Sequence, residues 1–128
     1  MDKIKCGIIT VSDRSSRGER EDLSGPEIRK WAENNNISVE KEAIVPDEAD
    51  QIRKILIELS DEGIELLLTT GGTGFAPRDV TPEATKEVIE REAPGFAEAM
   101  MMKSLEITPH AMLSRAVSGI RKRTLIIN

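Results

Sequence analysis

The 128 residues are 38% hydrophobic and 32% charged, which is typical of one globular domain and excludes intrinsic disorder. A net charge of −5 and 2% aromatic residues disfavour a nucleic-acid-binding protein, because such proteins need a basic face or aromatic rings for base stacking. One cysteine and one histidine exclude an internal disulfide and a Cys/His metal cluster. The sequence shows no apolar run of about 18 residues and no secretory leader, so we expect a cytoplasmic protein that binds neither nucleic acid nor a membrane.

The first half of the chain alternates strand and helix signals. The apolar run at residues 4–11 predicts a strand covered on both faces, and residues 12–18 predict a polar loop after it. Apolar residues at helical spacing predict a helix over residues 26–34, which three asparagines end. Residues 37–45 predict the second strand, and residues 49–59 predict the second helix.

The second half continues the alternation. Residues 64–70 are the most strand-like run in the chain. Thr81 is a favourable N-cap, so we expect a third helix from Thr81 to the Pro-Gly pair at residues 94–95. A fourth helix is expected at residues 96–105. Its three consecutive methionines, residues 100–102, are either divided between core and surface or covered by another subunit.

A final strand is expected at residues 124–128. Strands that alternate with helices predict an α/β fold with three layers, in which a mostly parallel sheet carries helices on both faces. Ligands in such folds lie at the carboxyl ends of the strands. The loops that follow the strands are therefore the places where a site is expected.

The loop after the most strand-like run reads TTGGTG at residues 69–74, and we call it the glycine loop. Glycines leave successive backbone N–H groups free to point into one concavity, which is how an uncharged loop holds phosphate oxygens. A glycine-rich turn without a ligand is the alternative. Pro77 stands where a Walker A motif or a dinucleotide fingerprint needs glycine, so the glycine loop belongs to neither motif.

Aspartates follow three of the predicted strands: Asp13, Asp47 and Asp79. Carboxylates beside phosphates repel each other unless a cation lies between them, so this set predicts a nucleotide bridged by Mg²⁺. Asp47 is equally well explained as the capping residue of the second helix. One histidine and one cysteine cannot form a catalytic triad, which leaves metal-assisted transfer. Three arginines can supply positive charge to a bound anion: Arg14, Arg78 and Arg115.

Five motifs occur in order: GIITVSDR at residues 7–14, PDE at 46–48, TTGGTG at 69–74, PRDVTPE at 77–83 and LSR at 113–115. Together they resemble the molybdopterin adenylyltransferase family, whose shared unit is the MoaB/Mog domain of molybdenum cofactor biosynthesis. The resemblance covers essentially the whole chain. Its most specific part is TTGGTG followed by RDVTPEA.

The resemblance implies a Mg²⁺-dependent transfer of AMP from ATP to the terminal phosphate of molybdopterin, with release of pyrophosphate. It implies that Asp47 and Asp79 are catalytic and hold the Mg²⁺. It also implies a set of substrate-binding residues: Ser12, Asp13, Gly71, Gly72, Thr73, Gly74, Ser114 and Arg115. The alternative is a paralogue without catalysis, which binds molybdopterin or acts as a scaffold.

The resemblance has two implications for the architecture. It implies a MoaB/Mog-like fold in which residues 1–128 form one domain, and a homotrimer or hexamer in which another subunit covers residues 100–102. Family members continue past the strand at residues 124–128 into a loop and a final helix. The resemblance therefore implies a domain that lacks this C-terminal loop and helix.

Overall fold

The computed structural model describes residues 2–128 as six strands, five α-helices and one 3-10 helix. The strands are β1 (Ile4–Val11), β2 (Ile37–Val45), β3 (Leu66–Thr70), β4 (Arg91–Glu92), β5 (Ser118–Arg121) and β6 (Thr124–Ile127). The α-helices are α1 (Asp13–Ser16), α2 (Ser24–Asn34), α3 (Ala49–Asp61), α4 (Thr81–Val88) and α5 (Gly95–Leu105). The 3-10 helix covers Pro109–Leu113.

The strands form one mixed sheet in the order β2–β1–β3–β6–β5–β4. The first four strands in this order are parallel, whereas β5 pairs antiparallel with both β6 and β4. Helices pack on both faces, so the three-layer, mostly parallel α/β fold that the sequence predicts is confirmed. The sequence did not predict β4 and β5.

The main core lies between the sheet and the helix pair α3 and α4. In α3, the apolar residues Ile52, Leu56 and Leu59 recur at helical spacing and are buried, as their periodicity predicts. Burying one such side chain contributes about 1.5–3 kcal/mol, so this layer fixes α3 on the sheet. The buried core residues are Ile9, Val11, Ile52, Leu56, Leu59, Ile64, Leu67, Ala84, Val88 and Ile126.

Three local predictions differ from the structure. The expected loop at residues 12–18 contains α1, because the Ser12 side chain accepts a hydrogen bond from the Ser15 N–H and caps this turn. The third helix, α4, ends at Val88 rather than at residues 94–95, because Arg91 and Glu92 leave it to pair with β5. The N-cap of α4 is Val80, so the prediction that Thr81 caps the helix is wrong.

The strand order creates a crevice between β1 and β3. The chain goes from β1 outward to β2 and then returns to the other side of β1 to form β3. In open α/β sheets, this reversal of strand order leaves a crevice at the carboxyl ends of the two strands, and ligands bind there. The loop after β1 and the glycine loop after β3 both end at this crevice. Within residues 2–128, no helix has the length and hydropathy needed to cross a membrane.

Candidate functional site

The glycine loop is pressed against two neighbouring elements. Gly71 has φ +96° and Gly72 has φ +71°, a backbone region that favours glycine. A Cβ on Gly71 would lie 2.1 Å from the Val11 carbonyl oxygen, and a Cβ on Gly72 would lie 2.3 Å from Thr81 Oγ1. Only glycine therefore allows the glycine loop to pass between β1 and α4.

A network of hydrogen bonds from buried threonines and Asn128 supports the glycine loop. The Thr81 hydroxyl donates to the Gly71 carbonyl at 3.0 Å, and the Thr81 N–H donates to the Gly72 carbonyl at 3.1 Å. The Asn128 Nδ2 lies 3.1 Å from Thr69 Oγ1 and 3.0 Å from Thr85 Oγ1. Sequence reasoning missed this polar network. Its one signal was the pair of threonines four residues apart on α4, which face the same side.

Thr81 and Arg115 donate hydrogen bonds to the carbonyl groups of residues 71–74, whereas the N–H groups of residues 72–74 have no backbone acceptor among the described residues. Among the backbone hydrogen bonds of residues 2–128, none uses the N–H of Gly72, Thr73 or Gly74 as the donor. Successive N–H groups of this kind form a concavity suited to an anion. The glycine loop thus has N–H groups left over that could donate to an anion such as a phosphate.

Two small cavities share Thr70 and Gly71. One, of about 290 Å³, lies between the glycine loop and α5 and includes Ser114 in its wall. The other, of about 220 Å³, lies between the glycine loop and the loop after β1 and includes Ser12. A larger cavity of about 970 Å³ lies at the opposite end of the strands and has a charged lining. The two smaller cavities are the better candidates for a ligand site, because they lie at the carboxyl ends of β1 and β3.

The carboxylates of Asp13 and Asp47 each accept a hydrogen bond from the backbone N–H of the other residue. The Asp13 N–H donates to Asp47 Oδ2 at 2.9 Å, and the Asp47 N–H donates to Asp13 Oδ1 at 3.0 Å. The N-cap of α3 is Glu48, and in the described chain its side chain caps no backbone N–H. The interpretation of Asp47 as the capping residue is therefore wrong. Its carboxylate instead joins the loops after β1 and β2.

Arg78 neutralises one of these carboxylates. Its Nε and Nη2 lie 2.7 and 3.0 Å from the two carboxylate oxygens of Asp13, and Nη2 lies 2.9 Å from Glu48 Oε1. The hydrogen bond from Arg78 lowers the pKa of Asp13 to about 2, whereas burial raises the pKa of Asp47. The negative charges of Asp13 and Asp79 add to the rise in the pKa of Asp47. A cation beside Asp47 would favour its ionised carboxylate, and would so offset the rise in pKa that burial and the neighbouring charges cause.

Asp47 and Asp79 both border the glycine loop. A Cβ built on Gly72 would lie 3.1 Å from Asp47 Oδ1, and a Cβ built on Gly74 would lie 2.8 Å from Asp79 Oδ2. Asp79 Oδ2 also accepts the Ala76 N–H at 2.9 Å, which fixes the carboxylate beside the glycine loop. The structure thus brings together the two carboxylates and the glycine loop.

The Arg115 guanidinium contacts the backbone of the glycine loop and of the segment that follows it. Its Nε donates to the Gly74 carbonyl at 2.8 Å, its Nη2 to the Asp79 carbonyl at 2.7 Å, and its Nη1 to Glu83 Oε2 at 2.6 Å. These contacts support a role in holding the loop, and substrate binding by Arg115 stays a prediction. Arg14 is exposed on α1.

The carboxylates fit a magnesium ion that is shared with a ligand. No cluster of three metal-ligating side chains occurs in residues 2–128, so the protein alone does not offer a complete coordination shell. Mg²⁺ is usually held by one or two carboxylates together with water and substrate phosphates. Asp47 and Asp79 border the glycine loop and would provide the protein's part of such a shell. The arrangement can therefore hold and neutralise a polyphosphate.

Comparisons with known proteins agree with this geometry. A family model described as "Probable molybdopterin binding domain" matches residues 7–128. The chain is 48% identical over 132 residues to the molybdopterin adenylyltransferase of Helicobacter pylori (strain J99), with all of this chain and 74% of that protein covered. It is 47% identical over 133 residues to the gephyrin of Dictyostelium discoideum, and the match covers 94% of this chain but only 18% of gephyrin.

A solved structure gives the same result. The crystal structure of the molybdopterin biosynthesis enzyme MoaB from Thermus thermophilus superposes with a TM-score of 0.92 at 50% identity. The superposition covers 98% of this chain and 79% of that one. Sequence, fold and site geometry lead to one assignment: this chain belongs to the molybdopterin adenylyltransferase family of MoaB/Mog-type molybdopterin-binding domains.

Proposed function

We propose that this protein transfers AMP from ATP to the terminal phosphate of molybdopterin and releases pyrophosphate, in a Mg²⁺-dependent step of molybdenum cofactor biosynthesis. The observation that carries the proposal is the position of Asp47 and Asp79 beside the free N–H groups of Gly72 and Gly74. The Helicobacter pylori relative named as a molybdopterin adenylyltransferase matches this whole chain and supports the same activity.

The protein's contribution to this reaction is positioning and electrostatics. The N–H groups of residues 72–74 bind phosphate oxygens of ATP. A phosphate oxygen of molybdopterin then attacks the α-phosphorus of ATP, the bond to the β-phosphate breaks, and pyrophosphate leaves. The reaction needs no protein nucleophile. Asp47 and Asp79 hold Mg²⁺, which when bound neutralises phosphate charge. The two cavities that share Gly71 lie on the two sides of the glycine loop, where the two substrates would bind.

Replacing the two carboxylates tests the proposal. We expect Asp47→Asn and Asp79→Asn each to lower the turnover of AMP transfer at least about tenfold, equivalent to roughly 1.4 kcal/mol of barrier. The amide keeps the size of the side chain but loses the charge that holds the cation. Turnover is measured as adenylylated molybdopterin and pyrophosphate formed from ATP and molybdopterin.

The control is Asp50→Asn, which removes an exposed carboxylate on α3 and should keep the wild-type rate. Wild-type rates in both Asp47→Asn and Asp79→Asn would contradict the proposed site. If the unmodified protein binds molybdopterin but forms no adenylylated product with Mg-ATP, the non-catalytic alternative is the correct one.

We also propose that copies of the chain assemble through α5, as a homotrimer or a hexamer. All residues of α5 are described and none is buried, although its sequence is largely apolar. Phe96 is 49% exposed, and Met102 is 70% exposed. An apolar cavity of about 550 Å³ lies between α5 and Ile127. Exposed apolar surface of this kind marks a protein interface, which supports the prediction that another subunit covers residues 100–102.

A further inference from the structure

One guanidinium joins the loops that follow three neighbouring strands. Arg78 lies after β3, and its side chain reaches Asp13 after β1 and Glu48 after β2. It contacts both carboxylate oxygens of Asp13 with two donors, at 2.7 and 3.0 Å. The same Nη2 lies 2.9 Å from Glu48. The three loops are separate in sequence, so this contact is a tertiary constraint on their relative positions.

The proposed catalytic carboxylates lie next to this contact. Asp79 follows Arg78 directly in the chain. Asp47 precedes Glu48, and it exchanges two backbone-to-carboxylate hydrogen bonds with Asp13. Asp47 is therefore next to two residues that the guanidinium holds, and Asp79 is the chain neighbour of Arg78 itself. A shift of Arg78 would change the separation between Asp47 and Asp79.

We propose that Arg78 is a positioning residue that sets the Asp47 carboxylate relative to Asp79, an inference that rests on the proposed function. The role requires an arginine. A planar guanidinium can donate two parallel hydrogen bonds to one carboxylate and a further bond to a second carboxylate, whereas a lysine ammonium is a point charge on a flexible stem. A shape-dependent role and a charge-dependent role thus predict different results for Arg78→Lys.

The two ion pairs of Arg78 differ in burial, because the side chain of Asp13 is 20% exposed whereas that of Glu48 is half exposed. The exposed fraction is 54% for the Arg78 side chain and 52% for the Glu48 side chain. The exposed pair with Glu48 contributes little to the free energy of unfolding, whereas removing the guanidinium also leaves the less exposed Asp13 carboxylate without its partner, which costs more. We therefore expect Arg78→Lys, which keeps a positive charge beside Asp13, to have a melting temperature close to that of the wild type, and Arg78→Gln to have a lower one. A loss of activity in Arg78→Lys then reports on geometry rather than on unfolding.

Hydrogen–deuterium exchange tests the positioning without an activity assay. We expect Arg78→Gln and Arg78→Lys to speed amide exchange in peptides that contain residues 12–16 and 46–48, which are remote from Arg78 in sequence. Peptides from α3 should be unchanged. The matched control is Arg29→Gln, because Arg29 also bridges two carboxylates, Glu33 at 2.9 Å and Glu42 at 2.8 Å, away from the glycine loop. Unchanged exchange in both loop segments of both Arg78 variants would overturn the proposal.

Kinetics then separate shape from charge. We expect both Arg78 variants to lower kcat for AMP transfer by about tenfold or more, because small misplacements of catalytic groups are costly. Asp13→Asn should lower kcat as well, and its effect should not add to that of Arg78→Gln. A wild-type kcat in Arg78→Lys would overturn the proposal. If the unmodified protein shows no AMP transfer, the proposed function fails, while the exchange experiment still decides whether Arg78 positions the two loops.

Discussion

Gly72 separates Asp47 from Thr81 and has no room for a side chain. We expect Gly72→Ala to lower the free energy of unfolding by about 1–3 kcal/mol, because the backbone is in the left-handed region and the new methyl group meets Thr81 Oγ1. AMP transfer should fall as well, since Asp47 Oδ1 is displaced. Urea denaturation and the turnover assay check the two effects.

Gly18 offers a matched control for this substitution. Its φ of +74° is close to the +71° of Gly72, but nothing lies within 4 Å of the position that its Cβ would take. Gly18→Ala therefore carries the backbone strain without the collision. Equal losses of stability in the two variants would contradict the crowding of Gly72.

Cys6 is fully buried in β1, and burial raises the pKa of its thiol from 9.0 to about 11. The folded protein thus holds this proton more tightly than the unfolded chain does. The resulting stability is complete below pH 9 and is lost as the pH rises toward 11. We expect an extra alkaline loss of stability that is absent in Cys6→Ala, measured by urea denaturation from about pH 8 to about pH 11. Identical pH profiles for the two proteins would contradict this prediction.

The sequence predicted where the site residues lie better than it predicted their partners. Asp13, Asp47 and Asp79 follow strands, and the carboxyl ends of parallel strands meet at one edge, so their proximity followed from the pattern alone. Their partners depend on tertiary contacts that no local pattern encodes. Asp47 resembles a capping residue within its own loop, but the Asp13 N–H reaches it from a different strand. For the same reason Thr81, a plausible N-cap, bonds the glycine loop instead.

Among the secondary-structure elements, α5 is largely apolar in sequence, and none of its residues is buried by its own chain. We expect the protein to sediment as a trimer or hexamer, and the double variant Phe96→Glu with Met102→Glu to sediment as a smaller species. Two charges in a desolvated interface would offset much of the apolar contact. Sedimentation velocity measures the change. Trp31→Glu on α2 is the control, because Trp31 is also exposed, at 51%, but lies outside the proposed interface. A monomeric wild-type protein would contradict the assembly.

The shortest elements were the ones that the sequence did not predict. β4 has two residues and β5 has four, too few for a recognisable alternation of apolar and polar side chains. They are held by pairing with each other and by Ser118, whose hydroxyl donates to the Ala93 carbonyl at 2.6 Å and accepts the Ala97 N–H at 3.1 Å. The same pairing explains why α4 ends earlier than its sequence suggests.

At the scale of the whole molecule, the order of elements was enough to predict the three-layer fold and the edge of the sheet at which the glycine loop and the three aspartates lie. The two antiparallel strands at one edge change neither property, because β2, β1, β3 and β6 stay parallel. The crevice between β1 and β3 follows from strand order, which the sequence left open. The site therefore combines a predictable location with contacts that only the folded chain specifies.

Ligand binding at this crevice should stabilise the whole domain. With Mg-ATP at about 100 times its dissociation constant, we expect the free energy of unfolding to rise by roughly 2.7 kcal/mol, since ligand binds only the folded state. For a domain of this size the melting temperature should rise by roughly 10 °C. Removing Mg²⁺ with a chelator should reduce the rise, because the phosphates would then face uncompensated carboxylates. Replacing Asp47 with Asn should also reduce it, because the variant loses a ligand for the cation. Stabilisation by molybdopterin but not by Mg-ATP would instead favour a protein that binds the pterin without adenylylating it.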